Sequence, residues 1–245
     1  MKIAFLDSGV GGLTILASTL KNLPLHDYTY LADTKNFPYS EKSESELNTI
    51  LAKHVKSLVD GGIQLIVLAC NTATVTSLKN LRKKFPETIF VGTVPPLAVA
   101  ANQTPTGSKI LVLATKNTAH SLYLANLIKA FPSHNFEVVG STYLVKNIEK
   151  GDSKAIEKEL QVIKEGVGEI GGIVFGCTHF PYMESEINEV FGSVKTFSST
   201  GGVVKRIKHL VKSHPKSKPH IKFENYSGPH NLQSWLTKAF KLRAE

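Results

Sequence analysis

Short apolar runs alternate with longer segments of helical spacing along most of the chain. Runs such as residues 2–6 and 110–114 are rich in Ile, Val, Leu and Phe and lack alternating polar positions. This pattern is typical of parallel strands that are buried on both faces. Segments 13–20 and 43–59 space their apolar residues as amphipathic helices do, and Gly61-Gly62 follows the second one. The alternation predicts an α/β fold with mainly parallel, doubly wound sheets.

The predicted strands recur along the chain with a constant offset of 107 residues. Three pairs share this offset: residues 2–6 with 109–113, 28–31 with 135–138, and 66–70 with 173–177. A shared offset favours a duplicated fold over chance matches between short apolar runs. We therefore expect two pseudo-symmetric domains, and the prolines Pro95-Pro96 predict a hinge over residues 94–107.

The two cysteines, Cys70 and Cys177, occupy equivalent places in this repeat, each at the end of a strand. Ligands of such sheets bind beyond the carboxyl ends of the strands. If the two halves face each other, one interdomain cleft holds a thiol on each wall, and we expect the active site there. The alternative is that both cysteines are inert, small apolar residues on buried strands.

Polar residues follow each cysteine directly. Asn71 and Thr72 follow Cys70, whereas Thr178 and His179 follow Cys177. At the N-terminus of a helix such groups can receive an anion, and a thiol there is more readily ionised. His179 is near enough in sequence to exchange a proton with Cys177 or to stabilise its thiolate.

Two further loops carry polar residues at the same predicted edge. Residues 7–12 (DSGVGG) close the first strand and match neither the dinucleotide fingerprint nor a phosphate-binding loop, so no nucleotide cofactor is indicated. Asp7 is a candidate proton partner for Cys70 or, alternatively, the N-cap of the next helix. In residues 33–40, backbone donors near Pro38 and Ser40 are candidates to hold a carboxylate, with ordinary turn chemistry as the alternative.

Composition and charge exclude several classes of protein. The 245 residues are 42% hydrophobic and 20% charged, as in ordinary globular proteins, and the longest apolar runs are too short for a bilayer. We expect a cytoplasmic protein with two free thiols, no metal site and no cofactor.

The net charge of +9 is concentrated in residues 205–245, which hold ten basic and two acidic residues. A solvated lysine-rich face explains this tail better than nucleic-acid binding does, but a non-catalytic regulator or nucleic-acid-binding protein that uses the tail stays an alternative.

Four motifs together resemble the cofactor-independent aspartate/glutamate racemase family, and within it the glutamate racemases. They are residues 3–12 (IAFLDSGVGG), 32–39 (ADTKNFPY), 69–73 (ACNTA) and 176–181 (GCTHFP). The resemblance covers about residues 3–200. It implies interconversion of L- and D-glutamate by two cysteines, which in bacteria supplies D-glutamate for peptidoglycan synthesis. An aspartate or broader amino-acid racemase is the alternative enzyme.

The resemblance also implies roles for single residues. Cys70 matches the cysteine that acts on D-glutamate and Cys177 the one that acts on L-glutamate, with Asp7 and His179 assisting. The predicted substrate contacts are Asp7, Ser8, Pro38, Tyr39, Ser40, Asn71, Thr72, Thr115, Thr178 and His179. No membrane partner is expected, nucleic acid is disfavoured, and a homodimer is possible.

The sequence departs from the family pattern at three places, which bear on substrate selectivity. Ser40 replaces a usual glycine, Val94 stands where a glutamate is common, and Ser198-Ser199-Thr200 replaces a usual Asp-Ser-Gly. Family members further imply that the tail folds back onto the first domain. The predicted domains are therefore residues 1–97 plus about 204–245, and residues 98–203.

Overall fold

The chain forms two compact α/β units. The computed structural model describes residues 1–211, 220–224 and 231–242. One unit contains Met1–Thr93 together with the described residues from Thr200 onward, and the other contains Val94–Ser199. Each unit is described by itself below.

The strands are short and the helices follow them in alternation, as the apolar pattern predicts. The strands are β1 (Lys2–Asp7), β2 (Asp27–Ala32), β3 (Leu65–Leu68), β4 (Ile89–Gly92), β5 (Lys109–Ala114), β6 (Asn135–Gly140), β7 (Gly172–Gly176), β8 (Thr196–Phe197) and β9 (Ile221–Glu224). The α-helices are α1 (Leu13–Asn22), α2 (Glu44–Asp60), α3 (Asn71–Lys84), α4 (Leu97–Gln103), α5 (Lys116–Ala119), α6 (Leu122–Lys129), α7 (Thr142–Lys150), α8 (Ser153–Val167), α9 (Glu184–Phe191), α10 (Thr200–Leu210) and α11 (Leu232–Lys241).

Both sheets are parallel in all their described pairings, which confirms the predicted fold class. The first has the strand order β4-β3-β1-β2-β9 and the second the order β6-β5-β7-β8. Matching β1 with β5, β2 with β6, β3 with β7 and β4 with β8 gives the same order of four strands in both units. β3 and β7 are buried at every residue and β5 at all but its first, as is typical of parallel sheets covered by helices on both faces.

The predicted offset of 107 residues holds for the pairing of the central strands in each sheet, but it changes by one residue in the pairing with one neighbouring strand. β1 pairs with β3 through Ile3 and Leu65, and β5 pairs with β7 through Ile110 and Gly172, which preserves the offset of 107. β1 pairs with β2 through Lys2 and Asp27, whereas Lys109 pairs with Asn135, one residue away from that offset. β6 is a half-exposed edge strand, so burial specifies its register less strictly.

Helix α2 shows why the local sequence folds as predicted. The Ser43 side chain accepts a hydrogen bond from the backbone of Glu46, and the Glu46 carboxylate accepts one from the backbone of Ser43 at 2.9 Å. This capping box satisfies two backbone donors that a helix start leaves open. The apolar stripe of the helix then packs on the first sheet, with Leu47, Leu51 and Val55 completely buried.

The segment between the units is only partly the irregular hinge that the prolines suggest. Pro95 and Pro96 precede α4, which occupies residues 97–103 and contacts β7 of the second unit. Proline is tolerated at the start of a helix, because the first backbone N–H groups have no partner inside the helix.

The described part of the C-terminal tail completes the first unit. β9 pairs in parallel with β2, and α11 packs on α1, where Lys21 donates a 2.7 Å hydrogen bond to the carbonyl of Phe240. Four of the ten basic tail residues lie outside the described residues: Lys212, Lys216, Lys218 and Arg243. Among residues 1–211, 220–224 and 231–242, no helix combines the length and apolar character that a membrane crossing requires.

Candidate active site

The carboxyl edge of the first sheet gathers the residues predicted around Cys70. Leu6 of β1 pairs with Leu68 of β3, so Asp7 continues the register beside the residue that precedes Cys70. The backbone N–H of Ala69 donates to the carbonyl of Leu6 at 2.9 Å, and that of Asp33 donates to the carbonyl of Asp7 at 2.9 Å. The ends of three strands are therefore tied together at this edge.

The loop after β1 is organised by Asp7. Its side chain, which is fully buried, accepts a 2.7 Å hydrogen bond from the backbone of Gly9, and the carbonyl of Gly9 accepts a 2.8 Å bond from the Tyr30 hydroxyl. The alternative role of Asp7 as a helix N-cap is wrong, because α1 starts after Gly12 with no side-chain cap. A Cβ on Gly12 would lie 2.7 Å from the Cβ of Ala69, so this close approach requires glycine.

Cys70 lies at the N-cap position of α3, a helix of 14 residues, as the sequence predicts. Cys70 is 8% exposed. The positive end of a helix dipole is a setting that favours the thiolate form of a cysteine. The buried amide of Asn71 has no hydrogen-bond partner at either its nitrogen or its oxygen within the described part of the chain. A buried amide is normally satisfied, so the Asn71 side chain is free to bind a polar ligand group or a water next to Cys70.

The segment 33–41 forms two short 3₁₀ turns, Thr34–Asn36 and Tyr39–Glu41, which place Tyr39 in the same apolar cluster as Cys70. Burial raises the pKa of Tyr39 well above its usual value, and the charges of Asp33, Cys70 and Asp7 raise it further. Tyr39 is therefore a neutral phenol at the edge that carries Cys70. Ser40 is buried within a right-handed turn, a conformation that does not require the usual glycine.

The corresponding edge of the second unit carries Cys177 and a chain of hydrogen bonds. The Cys177 Sγ and the His179 Nδ1 are 3.8 Å apart, and the His179 Nε2 is 2.9 Å from the Glu149 Oε1. Burial alone would lower the pKa of His179, but the hydrogen bonds and charges of Cys177 and Glu149 raise it well above its usual value. The raised pKa favours the protonated form of the His179 ring, which lies beside the Cys177 sulfur.

The predicted helix N-terminus is wrong for Cys177. A 3₁₀ turn at Phe180–Met183 follows it, and α9 begins only at Glu184. Pro181 lies within this tight turn, and the ring of His179 is the polar group that lies 3.8 Å from the Cys177 sulfur. The two cysteines thus sit at equivalent strand ends but in different electrostatic surroundings.

Buried hydroxyls accompany the two thiols at equivalent places. Ser8 in the first unit and Thr115 in the second both follow the strand that lies beside the cysteine, and both are buried. Thr115 also caps α5 by accepting a hydrogen bond from the backbone of Thr118. Thr72 and Thr178 are buried as well, each within two residues of a cysteine.

Two residues at these edges were missed by reasoning from the sequence. Glu149 and His54 lie on helices α7 and α2, far in sequence from any of the four motifs, and their contacts arise only in the fold. No residues within the described ranges form a group of three or more possible metal ligands.

Comparison with known proteins places the chain in a family of racemases. The family described as Asp/Glu/Hydantoin racemase matches residues 15–207. A glutamate racemase of Bacillus subtilis (strain 168) is 33% identical over 218 residues, which cover 86% of this chain and 82% of the relative. A glutamate racemase of Histophilus somni (strain 129Pt) is 38% identical over 219 residues, covering 86% and 81%.

Solved structures show the same relation. The crystal structure of Escherichia coli glutamate racemase with L-glutamate and an activator matches with a TM-score of 0.82 and 28% identity, covering 96% of this chain and 92% of that one. A glutamate racemase isoform from Bacillus anthracis matches with a TM-score of 0.79 and 26% identity, covering 90% and 86%. From the family match and the extent of the similarity to its members, this chain belongs to the Asp/Glu/Hydantoin racemase family.

Proposed function

We propose that this protein is a glutamate racemase, which interconverts L-glutamate and D-glutamate without a cofactor by proton transfer at Cα. The observation that carries the proposal is the pair of thiols at repeat-equivalent strand ends, one at a helix N-terminus and the other beside a histidine. Membership of the racemase family and similarity to named glutamate racemases over most of the chain support it.

Inversion of a stereocentre by two proton transfers requires a base on one side of the carbon and an acid on the other. In our proposal one cysteine, as thiolate, removes the proton from Cα. The resulting carbanion then takes a proton from the other cysteine, which is a thiol at the start. After the reaction the two cysteines have exchanged their protonation states, so no redox partner or metal is needed for the proton balance.

The surroundings of each thiol support this division of labour. Cys70 has the N-terminus of α3, while the buried Asp7 carboxylate organises the neighbouring loop. In our proposal Asp7 assists the proton transfer at Cys70. Cys177 has the His179 imidazolium, which Glu149 holds in place. We assign Cys70 to D-glutamate and Cys177 to L-glutamate from the family resemblance.

Substrate binding in the proposal uses the polar groups that surround the thiols. A glutamate zwitterion offers two carboxylates and an ammonium group, and the unsatisfied amide of Asn71 can donate to the first and accept from the second. Further predicted contacts come from the buried hydroxyls and the turn after β2: Ser8, Pro38, Tyr39, Ser40, Thr72, Thr115 and Thr178. Glutamate is preferred over aspartate because the named relatives are glutamate racemases and the Escherichia coli protein binds L-glutamate.

Three further statements belong to the same proposal. The enzyme acts in the cytoplasm, it supplies D-glutamate for peptidoglycan synthesis, and the oligomer compatible with the proposal is a homodimer. Nucleic acid plays no part in the reaction.

The proposal predicts exchange of the α-hydrogen with solvent. Purified protein incubated with L-glutamate in D₂O, without added pyridoxal phosphate, is expected to give D-glutamate that carries deuterium at Cα. Mass spectrometry with chiral chromatography measures both changes. L-aspartate and L-alanine serve as parallel substrates, and faster turnover of L-aspartate would support the alternative enzyme. Absence of exchange with every acidic amino acid would contradict the proposed function.

The pH dependence tests the role of Glu149. In Glu149→Gln the pKa of His179 is expected to fall, because a raising charge is removed while the lowering effect of burial stays. The imidazolium then loses its proton at a lower pH, so the alkaline limb of kcat/KM for L-glutamate moves to lower pH. The profile is measured for the wild type, Glu149→Gln and, as a matched control, the exposed Glu169→Gln. An unmoved alkaline limb in Glu149→Gln would contradict this role.

The raised pKa of His179 also determines how the stability of the fold changes with pH. A histidine whose folded-state pKa is raised stabilises the fold fully at a pH below its ordinary pKa, and this contribution is lost as the pH rises through the raised value. The loss of thermal stability in Glu149→Gln, relative to the wild type, is therefore expected to be largest at a pH below the ordinary histidine pKa. Thermal unfolding of both proteins at several pH values measures it.

A further inference from the structure

Asp33 lies at the carboxyl end of β2 as the centre of a buried hydrogen-bond network. Asp33 is 3% exposed. Both of its carboxylate oxygens accept a hydrogen bond of 2.9 Å from the Asn36 amide, and Oδ2 also accepts one of 2.9 Å from the Tyr39 hydroxyl. The His54 Nε2 lies 3.0 Å from the same Oδ2. Burial raises the pKa of Asp33, but the hydrogen bonds from His54 and Asn36 outweigh this and bring the pKa below its usual value.

His54 differs from the other two donors in where it comes from. Asn36 and Tyr39 belong to the same short segment as Asp33, whereas His54 belongs to α2. That helix is fixed to the core by Leu51 and Val55, which are completely buried on either side of His54 in sequence. His54 therefore links the segment 33–41 to a rigid element of the fold.

The link determines what Tyr39 offers to its surroundings. Because Asp33 is ionised, the phenol proton of Tyr39 is directed to Asp33, and the phenol oxygen can only accept hydrogen bonds from other groups. Tyr39 shares an apolar cluster with Cys70, and its turn packs against α3, the helix whose N-cap position Cys70 occupies. The orientation of this phenol is thus part of the environment of the Cys70 thiol.

We propose that His54 is a positioning residue for the Cys70 step: through its hydrogen bond to Asp33 it fixes the Tyr39 hydroxyl and holds the segment 33–41 against Cys70. The inference rests on the proposed racemase function for its kinetic consequence. Its structural consequence, the shielding of Cys70, is independent of any catalysed reaction.

Kinetics test the route from His54 to Tyr39. His54→Leu is expected to lower kcat/KM for glutamate about tenfold, since a hydrogen bond to a charged group is lost. His54→Gln, whose amide can donate from a similar place, is expected to stay within about threefold of the wild type. In a Tyr39→Phe background the further change from His54→Leu is expected to be below about twofold, because coupled residues are not additive.

Alkylation tests the shielding without any turnover. Mass spectrometry follows the reaction of Cys70 and Cys177 with iodoacetamide in the same sample. In His54→Leu the rate at Cys70 is expected to rise about fivefold or more while the rate at Cys177 is unchanged, since local opening exposes only nearby groups. The exposed His209→Leu on α10 is the matched control and is expected to change neither rate nor kcat/KM.

The outcomes separate the two proposals. A wild type that does not racemise glutamate overturns the proposed function, and the alkylation rates still decide the role of His54. Unchanged alkylation of Cys70 in His54→Leu, or equal acceleration at both cysteines, overturns the positioning role. If the wild type racemises, a second result also overturns that role. This result is a loss of kcat/KM from His54→Leu that is as large in the Tyr39→Phe background as in the wild-type background.

Discussion

Serine in place of Cys70 or Cys177 is expected to lower racemisation of glutamate by about 1000-fold or more in each single variant. Serine keeps the size and the hydrogen-bonding shape of the residue, but its hydroxyl is far less acidic than a thiol. It therefore neither holds a negative charge near neutral pH nor accepts the α-proton. The measurement is kcat/KM in both directions by circular dichroism of the amino acid.

The double variant Cys70→Ser/Cys177→Ser is the control for this prediction. If the thiols act as one unit, the double variant loses little more than either single one, because removal of one partner already stops inversion. Thermal unfolding of all three variants shows that they are folded. Turnover at the wild-type rate by either single variant would contradict the two-thiol scheme.

The single variants also assign each thiol to one isomer. A remaining cysteine can remove the α-hydrogen and return a proton on the same face, which gives exchange with retention. Cys70→Ser is therefore expected to exchange the α-hydrogen of L-glutamate in D₂O, and Cys177→Ser that of D-glutamate. The opposite pairing would reverse the assignment that we take from the family resemblance.

Asparagine in place of Asp7 is expected to lower kcat about 100-fold with less than about a threefold change in KM. Asp7 is fully buried, and its Oδ1 already accepts from the backbone of Gly9, a bond that an amide oxygen can also accept. The substitution therefore keeps the loop after β1 and removes mainly the charge. A loss confined to kcat indicates that the charge acts during proton transfer.

Asp27→Asn is the matched control for Asp7→Asn. Asp27 is exposed at the amino end of β2, in the same sheet, and its substitution is expected to leave both constants unchanged. An unchanged kcat in Asp7→Asn would contradict a role of Asp7 in proton transfer, and its remaining role would be to organise the loop after β1. A large rise in KM would instead give it a role in substrate binding.

The placement of Cys70 and Cys177 could be predicted from the sequence because it depends on strands that are central in their sheets. Such strands are continuous apolar runs, and burial on both faces fixes their register. The half-exposed β6 lacks that constraint, and there the constant offset fails by one residue. The turn after Cys177 differs from the predicted helix N-terminus, because a 3₁₀ turn comes between the cysteine and α9, and such turns are frequent at helix ends.

The partners of the motif residues could not be predicted, because they lie on helices that meet the sheet edge only after folding. Glu149 carries no local signal beyond its place on an amphipathic helix, and its effect on His179 depends on a distance of 2.9 Å across 30 residues. His54 is likewise one polar residue beside an apolar stripe until α2 packs near Asp33.

By itself, the sequence determined the α/β class, the duplicated strands, the equivalence of the two thiols and the family resemblance. These follow from short-range apolar patterning and from motifs that are contiguous along the chain. Only the tertiary structure decided that the two thiols have different surroundings, a helix N-terminus for Cys70 and a histidine with a raised pKa for Cys177. The physical reason is that hydrogen bonds and charge interactions depend on distance in space, which sequence separation does not fix.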